Sequence, residues 1–214
     1  PLTQDDRQRL ATLDLELVVD LRRPDERELE PSQLPGDVEL VGAEITPGSQ
    51  ASAIYADSTQ LGGSAAMFDF MCDINREFVR SQSESFREVF GALLDSSAQR
   101  VLFHCSAGKD RTGFAIAMLQ LALEVSIEDI EADYLLSRRY YLPEDQLERV
   151  RGKYAVDHLT DEDLMPMMRA ERDYLHAALA AIDEHWPSRE HYLEAGLGLD
   201  GAARRELRRR FVDG

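Results

Sequence analysis

His104-Cys105-Ser106-Ala107-Gly108-Lys109-Asp110-Arg111-Thr112-Gly113, called the central segment below, is the part of this 214-residue chain that predicts its fold. Three consecutive apolar residues, Val101 to Phe103, come before it and predict a buried strand. After it, residues 112–123 are apolar almost all round, which predicts a buried helix. A strand, a tight loop and a helix in this order direct backbone N–H groups and a helix N-terminus to one point. The sequence therefore predicts a site for an anion.

Cys105 and Arg111 are the candidate nucleophile and phosphate-binding residue of this site. A cysteine at such a loop ionises readily, because N–H dipoles and a nearby guanidinium favour the thiolate. The planar arginine side chain can hold two phosphate oxygens while the sulfur attacks phosphorus. Because a positive charge at a helix N-terminus is electrostatically unfavourable, we expect a bound anion to compensate Arg111. The chemistry predicted is hydrolysis of a phosphate monoester through a phosphocysteine.

The other loop residues are expected to surround the phosphate or to shape the loop. The predicted binding set is Ser106, Ala107, Gly108, Lys109, Asp110, Arg111 and Thr112. Gly108 and Gly113 would permit backbone conformations closed to other residues and a close approach to phosphate. Thr112 can act as an ordinary helix N-cap.

Periodicity and capping signals predict the remaining elements. Strands are expected at residues 15–21 and 38–45, with a loop at 31–36 between them. Helices are expected from about residue 3 and at 67–79, 86–94, 126–138, 160–186, 188–195 and 201–212. No repeat or composition break requires a second domain, so we expect one domain over residues 1–214. Its fold class would be α/β, with a small, mainly parallel central sheet flanked by helices.

Composition limits the classes of partner and compartment. The net charge of −17 argues against general nucleic-acid binding, which needs a positive field. Two cysteines, Cys72 and Cys105, cannot form a disulfide framework and fit a reducing compartment. Residues 114–123, the longest strongly apolar stretch, are too few to cross a bilayer. No signal peptide is visible. We expect a cytoplasmic protein without stable membrane insertion; secretion stays open, since the sequence starts at Pro1.

The central segment resembles the His-Cys-x5-Arg-Ser/Thr signature of the cysteine-based protein tyrosine phosphatases. Its form, His-Cys-x-Ala-Gly-Lys-Asp-Arg-Thr-Gly, is similar to a bacterial branch with tyrosine, serine and lipid phosphatase activity. Residues 18–22 (VVDLR), 133–137 (DYLLS) and 192–199 (YLEAGLGL) are also similar to that branch. The resemblance implies a tyrosine-phosphatase-like fold in which helices at about 126–186 form a lid. It also implies that His104 braces the loop backbone and that the Thr112 hydroxyl donates to the thiolate.

The substrates implied are phosphotyrosine proteins, with phosphoserine or phosphoinositides as further possibilities. Neither a metal nor a cofactor is expected, because Arg111 and the loop amides supply the charge that Mg²⁺ supplies elsewhere. Lys109 adds a second positive charge at the loop mouth and resembles loops that accept phosphoinositides. A solvated lysine is the alternative, since lysine side chains are usually exposed.

Two aspartates are candidates for the general acid. Asp110 lies inside the loop, and the similar branch uses the aspartate at that position. Asp20 ends a predicted strand, where a parallel sheet presents residues at its active-site edge. It could equally form a simple ion pair with Arg22 or Arg23. We favour Asp110 as the acid and keep Asp20 as an accessory group. A Trp-Pro-Asp loop is absent, since the sequence at 186–188 is Trp-Pro-Ser.

Other functions remain open at this stage. A phosphate-recognition module without turnover would use the same loop. Another Cys-x5-Arg enzyme, such as a sulfurtransferase or arsenate reductase, is a second alternative. Rhodanese-like loops, however, do not usually carry Gly-Lys-Asp-Arg-Thr-Gly. A nucleotide-binding P-loop is excluded, because Phe103 stands where that motif needs glycine.

Overall fold

A parallel sheet of three strands lies at the centre of the computed structural model, which describes residues 2–34, 36–46, 62–154 and 156–213. The strands are β1 (Leu17–Asp20), β2 (Glu39–Gly42) and β3 (Val101–His104), in the order β2-β1-β3. Asp20 is paired with Gly42 on one side and with His104 on the other. All three strands therefore end at the same edge of the sheet, and the central segment leaves from that edge. This confirms the predicted α/β class, with strands shorter than expected.

Helices form most of the rest of the described chain. Those before the central segment are α1 (Gln4–Thr12), α2 (Pro24–Leu29), α3 (Ser64–Arg80) and α4 (Ser83–Asp95). Those after it begins are α5 (Asp110–Ala122), α6 (Ile127–Leu135), α7 (Ser137–Tyr140), α8 (Leu147–Tyr154), α9 (Asp161–Met168), α10 (Arg172–His185), α11 (Arg189–His191) and α12 (Gly201–Phe211). A 3₁₀ turn (Pro143–Asp145) precedes α8, and a π-helical turn (Tyr192–Gly196) follows α11. None of the helices in the described ranges is both long and apolar enough to cross a membrane.

Several of these helices begin where side-chain oxygens satisfy the first backbone N–H groups. Thr3 and Thr160 form capping boxes with the aspartates three residues later. The Ser126 hydroxyl accepts from the Asp129 N–H group at 3.1 Å. These helix starts are the ones that the sequence predicts.

The prediction of a single helix at residues 160–186 is wrong, because the helix is interrupted between α9 and α10. Arg169 and Glu171 are extended, with φ/ψ of −107°/153° and −115°/142°. The break leaves carbonyl groups near Met167 and Ala170 without helical partners, and side chains from elsewhere bind them. The helix expected at 126–138 is likewise divided into α6 and α7.

An apolar core fixes the direction of α5, the helix that carries the second half of the central segment. Phe114 of α5 packs against Phe78 of α3 and Phe86 of α4, with ring centroids 5.4 and 4.7 Å away. All three rings are buried, and β1 is buried along its whole length. Because α5 cannot shift against this core, its N-terminus holds a fixed position at the sheet edge.

Candidate active site

Cys105 follows β3 directly and begins a tight loop that ends at the first residue of α5. Gly108, within the loop, has a φ of 65°, a conformation that costs glycine little and other residues more. The Gly108 N–H group donates to the Cys105 sulfur at 3.2 Å. The loop thus turns a backbone N–H group onto the thiol, as the sequence predicts for an anion site.

The surroundings of Cys105 favour its ionised form. The residue is buried, at 8% exposure, and burial alone raises the pKa of a thiol. The Arg111 charge, the Thr112 hydroxyl and the backbone N–H groups of Lys109 and Thr112 outweigh burial, so the pKa of Cys105 is lowered. At Cys72, by contrast, burial dominates and the pKa is raised. Both thiols are free, and only Cys105 is set up as a nucleophile.

Arg111 is compensated by a carboxylate of the protein, which the sequence did not reveal. Its Nη1 donates to Glu26 Oε2 at 2.7 Å and its Nη2 to Glu26 Oε1 at 3.2 Å. Nη1 also lies 3.3 Å from the Leu21 carbonyl oxygen and 3.4 Å from that of Ile45. The expected anion is therefore not needed to offset the charge. Glu26 instead orients the guanidinium plane beside the thiol.

Asp20 forms a buried ion pair with Arg22. Its Oδ1 accepts from Arg22 Nε at 2.9 Å and its Oδ2 from Arg22 Nη2 at 2.7 Å. Ser32 and the Glu30 carbonyl complete the shell around this guanidinium. Burial raises the pKa of Asp20, but the Arg22 hydrogen bonds outweigh it and the pKa is lowered. The ion-pair interpretation therefore describes Asp20 better than a proton donor.

His104 lies between Asp20 and the loop. Its Nδ1 is 3.3 Å from the Cys105 carbonyl oxygen, and its Nε2 is 3.6 Å from Asp20 Oδ2. Burial lowers the pKa of His104 although the Asp20 charge opposes this. A neutral imidazole beside the loop backbone fits the expected bracing role.

Lys109 is buried, so it is not the solvated lysine that was the alternative interpretation of the sequence. It is 2% exposed, and its Nζ donates to the carbonyl oxygens of Met167 at 2.8 Å and Arg169 at 2.9 Å. The same Nζ lies 3.1 Å from Asp110 Oδ2 and 3.3 Å from Oδ1. The lysine therefore joins the loop to the break between α9 and α10.

Thr112 and Gly113 are the third and fourth residues of α5, so Thr112 is not the N-cap that the sequence offered; Lys109 occupies that position. The Thr112 hydroxyl is buried, and no described residue meets the distance and angle of a hydrogen bond to it. It is nevertheless close enough to the thiol to lower the pKa of Cys105. A Cβ atom on Gly113 would lie 2.5 Å from Tyr134 Cε2. Gly113 is therefore required by the packed Tyr134 ring, whereas Gly108 is the glycine that needs a special φ.

A cavity of about 120 Å³ opens over Cys105. From the central segment it is lined by Cys105, Ser106, Ala107, Lys109, Asp110 and Arg111. Its other walls are Arg23, Glu26, Met71, Ile74, Tyr141, Gln146, Arg149, Val150, Met167 and Met168. Gly108 and Thr112 of the predicted binding set line a second cavity of about 100 Å³, together with Gly113 and Tyr134. The structure thus brings the candidate nucleophile, the arginine and Asp110 to one cavity and leaves Asp20 outside it.

Comparison with known proteins gives consistent matches. A model of a tyrosine phosphatase family matches residues 1–213. A protein predicted to be a tyrosine-protein phosphatase in Cupriavidus necator is 34% identical over 98% of this chain and 74% of its own. A tyrosine-protein phosphatase of Nostoc commune is 31% identical over 69% of this chain. The triple specificity protein phosphatase PtpB of Mycobacterium tuberculosis is 31% identical over 60% of it. The chain spans about half the length of these last two relatives.

Proposed function

The chain belongs to the tyrosine phosphatase family and is a phosphatase, and on this premise we propose that it works by covalent catalysis at Cys105. The family assignment confirms the resemblance carried by the central segment and favours phosphate chemistry over that of a sulfurtransferase. The observation that carries the proposal is the Cys105 sulfur. It is buried, accepts a backbone N–H group at 3.2 Å and has a lowered pKa.

In the first step, the Cys105 thiolate attacks phosphorus and the bond from phosphorus to the ester oxygen breaks. Asp110, as the general acid, transfers a proton to the leaving oxygen, so the alcohol or phenol departs neutral. Arg111 and the loop N–H groups stabilise the charge on the phosphoryl oxygens. The products are phosphocysteine, the free hydroxyl compound and an ionised Asp110.

In the second step, water attacks the phosphocysteine and the sulfur leaves as a thiolate. Asp110 takes one proton from that water and returns to its acid form, and inorganic phosphate is released. Asp20 supports the site from behind, because its bond to Arg22 fixes the end of β1 next to His104. Asp110 lines the cavity and Asp20 does not, which supports the assignment of the acid.

Turnover of p-nitrophenyl phosphate by the purified chain tests this proposal. We expect Cys105→Ser to abolish turnover and Cys72→Ser to leave it unchanged. Acid quenching of the wild-type reaction should trap a phosphoryl group on the peptide that contains Cys105. Tight binding of phosphotyrosine without turnover would instead favour a phosphate-recognition module.

We propose phosphotyrosine on proteins as the main substrate, with phosphoserine and phosphoinositides as further ones. The family implies phosphoprotein or phosphoinositide substrates, and one relative is named a triple specificity phosphatase. Steady-state kinetics on phosphotyrosine peptides, phosphoserine peptides and short-chain phosphoinositides would rank the three. A kcat/KM lower for phosphotyrosine than for either of the others would contradict this order.

We also propose that the chain acts as one phosphatase domain, with residues 126–186 as a lid. Tyr141, Gln146, Val150 and Met167 of this region line the cavity over the thiol, which supports the lid. Hydrogen exchange measured with and without vanadate would test the lid, and we expect slower exchange in residues 126–186 when vanadate is bound.

We further propose that the protein works in a reducing compartment such as the cytoplasm, which its two free, buried thiols support. Fractionation of the cells that produce the protein would test the compartment.

A further inference from the structure

Lys109 is a buried charged residue that has no role in the mechanism proposed above. Its ammonium group is buried and lies within hydrogen-bond distance of three acceptors: the Met167 and Arg169 carbonyls and the Asp110 carboxylate. An ammonium has three N–H donors, so these contacts use all of them. The carbonyls come from a segment 58 and 60 residues further along the chain. Lys109 therefore connects the candidate acid to the break between α9 and α10.

The choice of lysine at this position is informative, because arginine makes up all but two of the chain's 24 basic residues. A guanidinium spreads its donors in one plane and suits flat, bidentate partners. An ammonium is compact and can meet three acceptors that converge from different directions. The arrangement around Lys109 is of the second kind.

We propose that Lys109 is a positioning residue, which holds the Asp110 carboxylate toward the leaving oxygen and anchors that carboxylate to the lid segment. The proposal rests on the proposed function, in which Asp110 is the general acid. Both carboxylate oxygens lie near the ammonium, at 3.1 and 3.3 Å, so the contact restrains rotation of the carboxylate. A short side chain at the start of α5 would otherwise choose among several rotamers. An acid held in one orientation transfers its proton more often than one that is free to rotate.

The same contacts remove Lys109 from direct recognition of a second phosphate on the substrate. All three of its donors are already used inside the protein. Replacing Lys109 is therefore expected to lower turnover most for substrates with poor leaving groups, which need an acid. The number of negative charges on the substrate should not decide the loss.

Arg138 provides a matched control, because it binds the same break without touching Asp110. Its Nε donates to the Ala170 carbonyl oxygen at 2.5 Å, and its guanidinium forms an ion pair with Glu171. A purely structural role for Lys109 predicts that Lys109→Met and Arg138→Met behave alike. A positioning role predicts that they differ in how the rate depends on the leaving group.

The experiment measures kcat and KM of Lys109→Met, Arg138→Met and Asp110→Asn on p-nitrophenyl phosphate and on phenyl phosphate, whose leaving group is poorer. A positioned acid typically contributes about 10²–10⁴-fold, so Asp110→Asn should lose about that factor on phenyl phosphate. Lys109→Met should lose about tenfold more kcat on phenyl phosphate than on p-nitrophenyl phosphate. Arg138→Met should change both rates by the same factor.

A double-variant comparison completes the test, since residues that act as a unit are not additive. In the Asp110→Asn background, Lys109→Met should produce no further dependence on the leaving group. Lys109→Gln, which keeps a donor for the carbonyls, serves if the methionine variant does not fold. Equal effects of Lys109→Met on both esters would overturn the proposal. So would a loss on a bis-phosphorylated inositide much larger than on a phosphoserine peptide. If Asp110→Asn itself lost no more kcat on phenyl phosphate than on p-nitrophenyl phosphate, the choice of Asp110 as the acid would be overturned instead.

Discussion

Glu26 holds Arg111 through two hydrogen bonds, at 2.7 Å to Nη1 and 3.2 Å to Nη2. Both residues are buried, with exposures of 7% and 8%. Glu26 also accepts the Arg23 N–H group at 3.2 Å, which ties its carboxylate to the start of α2. The guanidinium beside the thiol is therefore fixed by the segment that follows β1, and not by the loop alone.

Replacing Glu26 should damage both stability and turnover. Glu26→Ala leaves a buried guanidinium without its carboxylate, and breaking a buried pair in this way costs about 3–5 kcal/mol. Glu26→Gln keeps the shape and should cost less, while lowering kcat/KM because the guanidinium plane is less firmly oriented. Urea unfolding and p-nitrophenyl phosphate kinetics measure the two effects. The exposed Glu28→Gln on the same helix is the control, and equal behaviour of the two glutamine variants would refute this role for Glu26.

The lowered pKa of Cys105 predicts how its alkylation depends on pH. The thiolate is the species that reacts, and an ordinary thiol titrates near pH 8.5. Because the pKa of Cys105 is lowered, iodoacetamide should modify it well below that pH, with an inflection in the rate on the acid side. Cys72, whose pKa is raised by burial, should react slowly across the same range. Peptide mass spectrometry separates the two sites.

Removal of the Arg111 charge tests the cause of this shift. Arg111 has the largest of the effects that lower the pKa of Cys105. Arg111→Met should therefore move the alkylation inflection to higher pH, whereas Arg87→Met, on α4, should not. An unmoved inflection in Arg111→Met would show that the Thr112 hydroxyl and the loop N–H groups ionise the thiol without Arg111.

The central segment could be predicted from sequence because its strand, loop and helix are consecutive in the chain. The partners of its side chains could not. Glu26 lies 85 residues from Arg111 and is one of 41 acidic residues, so nothing local marks it. The burial of Lys109 depends on the break between α9 and α10. The apolar periodicity of residues 164–182 continues through that break, so the pattern predicts one helix and hides the exposed carbonyls. The pairing of Asp20 with Arg22 could be predicted, because the two residues are close in sequence. It was one of the two roles considered for Asp20, the other being an accessory group in catalysis.

Asp20→Asn should reveal a stability role that depends on pH. The folded pKa of Asp20 is lowered, below an ordinary value near 3.9. Its ion pair therefore contributes stability above that value and loses it as the pH falls through the folded pKa. The difference in unfolding free energy between the wild type and Asp20→Asn should be largest near neutral pH and vanish in strong acid. Asp25→Asn, which breaks an exposed pair with Arg23, should change little at any pH. A difference that persists in strong acid would exclude the ion pair as its source.

Gly113→Ala tests whether packing, and not backbone conformation, requires glycine at the start of α5. A Cβ atom there would lie 2.5 Å from Tyr134 Cε2 and 2.7 Å from Cδ2, and the ring is buried. Overpacking of this kind costs about 1–3 kcal/mol. Gly91→Ala, on α4 with no atom within 4 Å of the added carbon, should instead stabilise the protein by about 0.5–1 kcal/mol. Urea unfolding measures both changes. Adding Tyr134→Leu to Gly113→Ala should make the alanine less costly than it is opposite tyrosine, since the smaller side chain relieves the contact. If the alanine costs as much opposite leucine as opposite tyrosine, the ring is not the reason for the glycine.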